Sequence, residues 1–215
     1  MVTSVRLALT HAEKELLYSF RYRVYVEEMS RRQKYADHQL RRIEDPLDAT
    51  GLNLVAWEGQ NVVGCIRVNL AWLGGVDYYC DLLRMSEFVP SYPEGVSVCT
   101  RLMVAADRRG STLAFRLSDA SYRLGMQHGV KWNFIDCNDH LVSYFMKHGY
   151  AWTHRPVHEE YGEVNAMLLD LSNWLPAREN RDRVQLRRSA FQQCSGATVS
   201  GVGNVAVEEQ RGELG

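Results

Sequence analysis

The chain has 215 residues, 46% of them apolar and 24% charged, with a formal net charge of −1. This length suits one ordinary domain with a sizeable core, and the composition excludes a collagen-like or strongly charged disordered chain. The near-zero charge carries no global signature of nucleic-acid binding, and no run approaches the ~20 apolar residues that span a bilayer.

Thr10 followed by Glu13 has the form of a capping box, so a helix is expected from there, with Leu16, Phe20 and Val24 on one face through about Met29. Residues 30–50 are polar and contain Pro46, which reads as a loop. "LNLVAWEGQNVVGCIRVNLAW" predicts two strands around a tight turn at residues 58–61. "GGVDYYCDLLRMSEFVPSYPEG" predicts a loop with a short helix, and "VSVCTRLMVA" a strand. Residues 111–128 carry the clearest amphipathic pattern, with Leu113, Leu117, Ala120 and Leu124 on one face and Gly129 as the stop. "VKWNFIDC" predicts a strand, "NDHLVSYFMKHGY" a helix ended by Gly149, and "YAWTHR" and "EVNAMLLDL" two last strands. No internal repeat is present. From Pro176 the composition turns to Arg, Glu, Gln, Ser and Gly. A domain over 1–175 and a disordered polar tail over 176–215 are therefore expected. The element order predicts an α+β, mixed three-layer architecture, with a right-handed strand–helix–strand unit of parallel strands over residues 96–137.

The five cysteines, Cys65, Cys80, Cys99, Cys137 and Cys194, form no C-x-x-C pair and are odd in number. That argues against a disulfide framework or structural zinc and leads to the expectation of a reducing cytoplasm. His154 and His158 are four apart, but Pro156 lies between them and no third ligand is near, so no metal site is expected. Basic residues clump at Arg31, Arg32 and Lys34, at Arg41 and Arg42, and at Arg108 and Arg109. These clumps read either as solvated faces or as a docking surface for an acidic partner.

Residues 102–115, "LMVAADRRGSTLAF", resemble the donor-binding motif of the GCN5-related N-acyltransferase (GNAT) superfamily. "NDHLVSYFMKHGY" resembles its second motif through Asn138, Lys147, Gly149 and Tyr150. The N-terminal half is similar to one branch, the acyl-homoserine-lactone autoinducer synthases and long-chain N-acyl amino acid synthases. Arg21 and Tyr25, Asp45 and Asp48, Arg67, and Thr100 with Arg101 follow that branch's order. Val98 stands where autoinducer synthases carry a glutamate, and Arg31 where they carry a tryptophan. These departures favour a non-lactone N-acyl amino acid synthase.

The resemblance implies a GNAT-like fold, a central twisted mixed sheet flanked by helices. It implies N-acyl transfer from a thioester, on acyl carrier protein or coenzyme A, to the amine of an amino-acid-like acceptor, with no tightly bound cofactor. Donor-binding residues would be Leu102, Met103, Val104, Arg108, Arg109, Gly110, Ser111, Thr112 and Asn138. Acceptor-binding residues would be Arg21, Asp45, Asp48 and Arg67, and the catalytic set Arg101, Thr100 and Glu94. Alternatives are an acetyltransferase using acetyl-coenzyme A, or a silent member that binds an acyl group or carrier.

Acyl transfer needs a neutral amine, hence a base, and donors for the oxyanion. Glu94, ahead of the strand, and Glu44, beside Asp45, can hold a base-activating water. Aligned on Gly110, the superfamily's Q/R-x-x-G-x-G/A loop has Asp107 and Thr112 at its ends here, a poor wrapping for a free diphosphate. A helix N-terminus with Arg108, Arg109, Gly110 and the N–H groups of Ser111 and Thr112 suits one phosphate, as on acyl carrier protein, an acidic partner. The other reading of those arginines is a solvated loop. The cluster of Arg21, Arg67, Arg101, Asp45 and Asp48 reads either as an acceptor site or as a structural ion-pair network. Tyr144 is one place from the position of the usual thiolate acid, which Phe145 occupies, and reads as packing. The aromatics Trp72, Tyr78, Tyr79, Phe88 and Tyr92 line an acyl tunnel or pack the core.

Overall fold

The computed structural model describes residues 2–171. The tail expected over 176–215 and the domain boundary before it lie outside the described residues. In chain order come strand β1 (Ser4–Leu7), helix α1 (His11–Tyr22) continued by a π-helical turn (Arg23–Glu28), β2 (Ala36–Asp37), β3 (Arg42–Ile43), β4 (Leu52–Glu58) and β5 (Asn61–Leu70). Two short helices follow, α2 (Asp77–Leu83) and α3 (Met85–Phe88), then β6 (Val96–Val104), α4 (Leu113–Gln127), β7 (Trp132–Cys137) and α5 (Asp139–Lys147). The described chain closes with β8 (Ala151–His154), β9 (Val157–His158), β10 (Gly162–Glu163) and β11 (Asn165–Asp170). No helix among the described residues is long and apolar enough to cross a membrane.

Seven strands form one mixed sheet in the order β1-β4-β5-β6-β7-β11-β8. Every pairing is antiparallel except β6 with β7, the two strands joined through α4. The sheet is covered on both faces. Leu17 and Phe20 of α1 and Val24 of the π turn pack with Val55, Trp57, Val62, Cys65 and Met103. Leu113 and Leu117 of α4 and Phe145 of α5 pack with Leu54, Ala56, Val63, Ile66 and Val68. Successive residues of β4 thus enter opposite layers, which is why that strand reads as a continuous apolar run. The expected three-layer mixed architecture is the one observed.

The capping box at Thr10 and Glu13 is present in both directions. Backbone N–H groups of Thr10 and Leu9 and the Arg6 side chain bring the Glu13 carboxyl down to about 2. Leu17, not Leu16, faces the sheet, and Leu16 is exposed. Positions 17, 20 and 24 share the inward stripe with Arg21, and residue 16 is turned about 100° from 17. Strand β1, the β2–β3 ribbon and the β9–β10 ribbon were not expected. Each is two to four residues long, too short to display a period.

Candidate active site

Strands β6 and β7 pair only from Val96 to Val98 against Trp132 to Phe134. Beyond that point they part, and residues 99–104 and 135–138 line a cavity of about 450 Å³. On the β5 side, Arg67 pairs with Thr100 and Cys65 with Met103, so Arg101 and Leu102 together oppose Ile66. Arg101 takes φ 58° in this bulge. A bulge with its first residue left-handed bends the strand and re-aims a side chain, and the left-handed region is strained for a residue with a Cβ.

The re-aimed guanidinium of Arg101 is held on three sides. Nη2 and Nε donate to Asp45 Oδ2 (2.7 and 3.3 Å), and Nη1 donates to Gln33 Oε1 (2.8 Å) and to the Tyr161 hydroxyl (3.0 Å). The Tyr25 ring lies 5.2 Å away. Behind Arg101, Arg67 Nη1 donates to Asp45 Oδ1 (2.5 Å) and its Nε to Thr100 Oγ1 (3.1 Å). Arg67 also reaches Asp48 (3.2 Å). Arg21 Nη1 donates to Asp48 Oδ2 (2.7 Å) and Nη2 to Asn53 Oδ1 (2.6 Å). Asp45 and Asp48 cap their own short turn reciprocally. Gly51 makes room for this packing: a Cβ there would meet both Arg67 Cδ and the Leu47 carbonyl at 2.7 Å.

Burial alone would raise both aspartates. Arg67 and Arg101 outweigh it at Asp45, and Arg21 with Arg67 outweighs it at Asp48, so both carboxyls sit below the usual range. Three guanidiniums meet two carboxylates here, leaving one positive charge in excess beside the cavity. Arg21, Asp45, Asp48 and Arg67 are buried and do not line the cavity, whereas Thr100 and Arg101 do. Of the four expected acceptor residues, Asp45 holds Arg101 directly, and Arg67, Asp48 and Arg21 continue the same ion-pair cluster behind it.

Across the opening, Asp136 of β7 lines the cavity. Burial lifts its carboxyl above the usual value, partly offset by His158. Burial likewise depresses His158, partly offset by Asp136. His158 accepts a hydrogen bond at Nδ1 from the Glu160 N–H (3.0 Å), so Nε2 carries the proton of the neutral ring. Its ring stacks on Tyr161 with centroids 4.4 Å apart. A carboxyl with a raised pKa in a cleft is suited to take a proton.

Of the expected donor residues, Leu102, Met103, Val104, Arg109 and Asn138 line the cavity. Arg108, Gly110, Ser111 and Thr112 lie outside it, in the loop before α4. Neither arginine of that loop stands alone. Arg108 makes two bonds to Glu58 (3.0 and 2.8 Å) and one to Asp107 (2.8 Å), and Arg109 pairs with Glu28. The Ser111 N–H is already engaged with the Arg108 carbonyl (3.3 Å). Glu94 is exposed in the turn before β6, at the end where β6 and β7 remain paired, so the structure does not bring it to the cavity. Tyr144 packs on Phe145 and His148 and does not line the cavity either. Among the five aromatics of residues 71–95, Tyr79 lines it. Sequence reading passed over Gln33, Asp136 and Tyr161, and weighed His158 only as a metal ligand. They come from a loop, a strand end and a two-residue ribbon, and no spacing links them.

Residues 20–118 match the family model of the acetyltransferase (GNAT) domain. Among solved structures, the CoA-dependent acyl-homoserine lactone synthase BjaI, with SAM and isopentyl-CoA, is 20% identical at TM-score 0.61, covering 83% of this chain and 81% of that one. FeeM, an N-acyl amino acid synthase from uncultured soil microbes, is 12% identical at TM-score 0.63, covering 86% and 98%. An acyl-CoA N-acyltransferase from Pseudomonas aeruginosa is 18% identical at TM-score 0.58, covering 78% and 99%. These likenesses establish a shared fold. No curated protein matches the sequence. The matched stretch takes in β4, β5 and β6, so over those strands the chain resembles a GNAT acetyltransferase domain, and it shares its fold with these acyltransferase structures.

Proposed function

We propose that the protein moves a medium- or long-chain acyl group from a pantetheine thioester, on acyl carrier protein or coenzyme A, to the amine of an amino-acid-like acceptor. The observation that carries this reading is the parting of β6 from β7, with Arg101 on one lip and Asp136 on the other. Strand edges without a ladder partner offer backbone N–H groups to the amides of a pantetheine arm and to the thioester oxygen. Asp136, with His158 beside it, takes the proton of the attacking ammonium. The amine attacks the thioester carbon, and the excess positive charge at Arg101 stabilises the oxyanion. The intermediate collapses with loss of a thiolate, a good leaving group near neutral pH that needs no dedicated acid, and the nitrogen gives its second proton to solvent to leave the neutral amide. The acyl thioester is a co-substrate, and no resident cofactor enters the scheme.

The test is to incubate the protein with amino acids and, in parallel, long-chain acyl carrier protein, long-chain acyl-coenzyme A and acetyl-coenzyme A, and to read new N-acyl products by mass. Long-chain N-acyl amino acids are expected. Product from acetyl-coenzyme A alone would replace this reading with a small-molecule or protein acetyltransferase, the activity named by the matching family model.

A further inference from the structure

The cavity that Asp136 lines also holds a guanidinium with no carboxylate partner among the described residues. Three arginines line the cavity. Arg101 is paired with Asp45, and Arg109 with Glu28. Arg31 has no carboxylate partner within ion-pair distance among the described residues. Its position is nevertheless defined. The chain leaves the π turn through Ser30 at φ 52°, and the Arg31 N–H donates to the Tyr25 carbonyl (2.8 Å). The guanidinium lies against two aromatic rings, 5.9 Å from the Tyr25 centroid and 5.4 Å from that of Tyr161. Those rings are stacked on each other, and the Tyr161 hydroxyl is fixed by Arg101 and Gln33. A guanidinium resting on aromatic faces keeps its N–H edge available for a two-pronged bond to a carboxylate.

We propose that Arg31 receives the carboxylate of the acceptor amino acid; this rests on the acyl-transfer reading above. Arg31 and Asp136 both line the cavity, have opposite signs, and have no partner within ion-pair distance among the described residues. A zwitterionic amino acid presents the same two charges one carbon apart. Its carboxylate on Arg31 turns the ammonium toward Asp136 and toward the opening where the thioester enters. A simple amine, lacking the carboxylate, gains nothing from Arg31.

The experiment compares the unaltered protein with Arg31→Ala and Arg31→Lys, using leucine and leucinamide as acceptors at fixed donor. Arg31→Ala is expected to raise KM for leucine about tenfold to a hundredfold, the loss of one charge-assisted bidentate contact. Its KM for leucinamide and its KM for the donor should hold steady, and Arg31→Lys should recover part of the leucine affinity. A rise in donor KM, or equal losses for both acceptors, would overturn the assignment. A readout free of turnover accompanies it: calorimetric binding of butanoyl-, octanoyl- and dodecanoyl-leucine against the matching leucinamides. The carboxylates should bind more tightly to the unaltered protein, and Arg31→Ala should remove the difference. Absent or equal binding across the set overturns the assignment. A carboxylate preference in binding with no product from any amino acid would instead sink the proposed reaction and leave Arg31 as a carboxylate site.

Discussion

Arg101 gathers more of the site's chemistry than any other side chain. A guanidinium has five N–H donors, and four bonds, to Asp45, Gln33 and Tyr161, fix its plane. Arg101→Ala is expected to lower kcat/KM by at least about a hundredfold, the size of effect seen when one electrostatic contact to a developing oxyanion is lost. The fold should survive, because Asp45 keeps Arg67 and the Leu47 N–H. Near-normal activity in a folded variant would remove Arg101 from the chemistry. At this scale the sequence was legible wherever a residue sat in a long strand beside a recognisable neighbour, as Thr100 and Arg101 do. It was silent on Asp136: a lone carboxylate near the end of an apolar strand has nothing in one dimension to mark the cavity it faces. It misplaced Glu94, which is near Thr100 in sequence but lies at the closed end of the strand pair.

Among elements, the loop between β6 and α4 carries the donor question. Its arginines are occupied by Glu58 and Glu28, and Arg108 draws the Glu58 carboxyl down to about 2. Both pairs lie at the surface, where solvent and salt screen them, so an acidic carrier can exchange for these partners. Arg108→Glu with Arg109→Glu should raise KM for acyl carrier protein by at least about tenfold while leaving a small pantetheine thioester within about twofold. Equal effects on both donors would count against carrier docking. The long elements here were legible because period and cap agreed. The bulge at Arg101 was not, because a bulge is set by pairing with β5 rather than by local sequence. The same holds for the short ribbons: His158 lies in β9, Tyr161 in the turn between β9 and β10, and Gln33 just ahead of β2, and their meeting at the site depends on tertiary contacts.

The whole molecule places a net-positive ionic cluster between the α1 layer and the sheet, with the parted strands beside it. This has a pH consequence. Asp45 and Asp48 have folded values below their unfolded ones. Their contribution to stability is complete above the unfolded carboxylate value of about 4, and it is lost as pH falls toward the folded values. Asp136, raised by burial, works in the opposite sense, its contribution fading as pH rises through its folded value. Two paired aspartates outweigh one, so the urea midpoint should drop as pH is lowered from about 6 to about 3. Arg21→Met, which strips Asp48 of a partner, should already unfold at lower urea near neutrality, by about 3–5 kcal/mol. A flat midpoint across that range would mean that the cluster is not ionised as described. The three-layer order was legible at this scale, because helix and strand periods alternate along the chain. That the charge cluster is buried behind Arg101 and does not line the cavity required the fold to be seen.

The central claim is a proton taken by Asp136 from an amine that then captures the acyl group. The most direct measurement is acceptor-dependent thiol release from the acyl donor, counted against N-acyl product, for the unaltered protein and Asp136→Asn across pH. The unaltered protein should release one thiol per amide formed, with activity falling on the acid side as Asp136 is protonated. Asp136→Asn should be nearly inactive at neutral pH and recover as rising pH deprotonates the free amine. Thiol release without amide, or an unchanged pH profile in Asp136→Asn, would contradict the account.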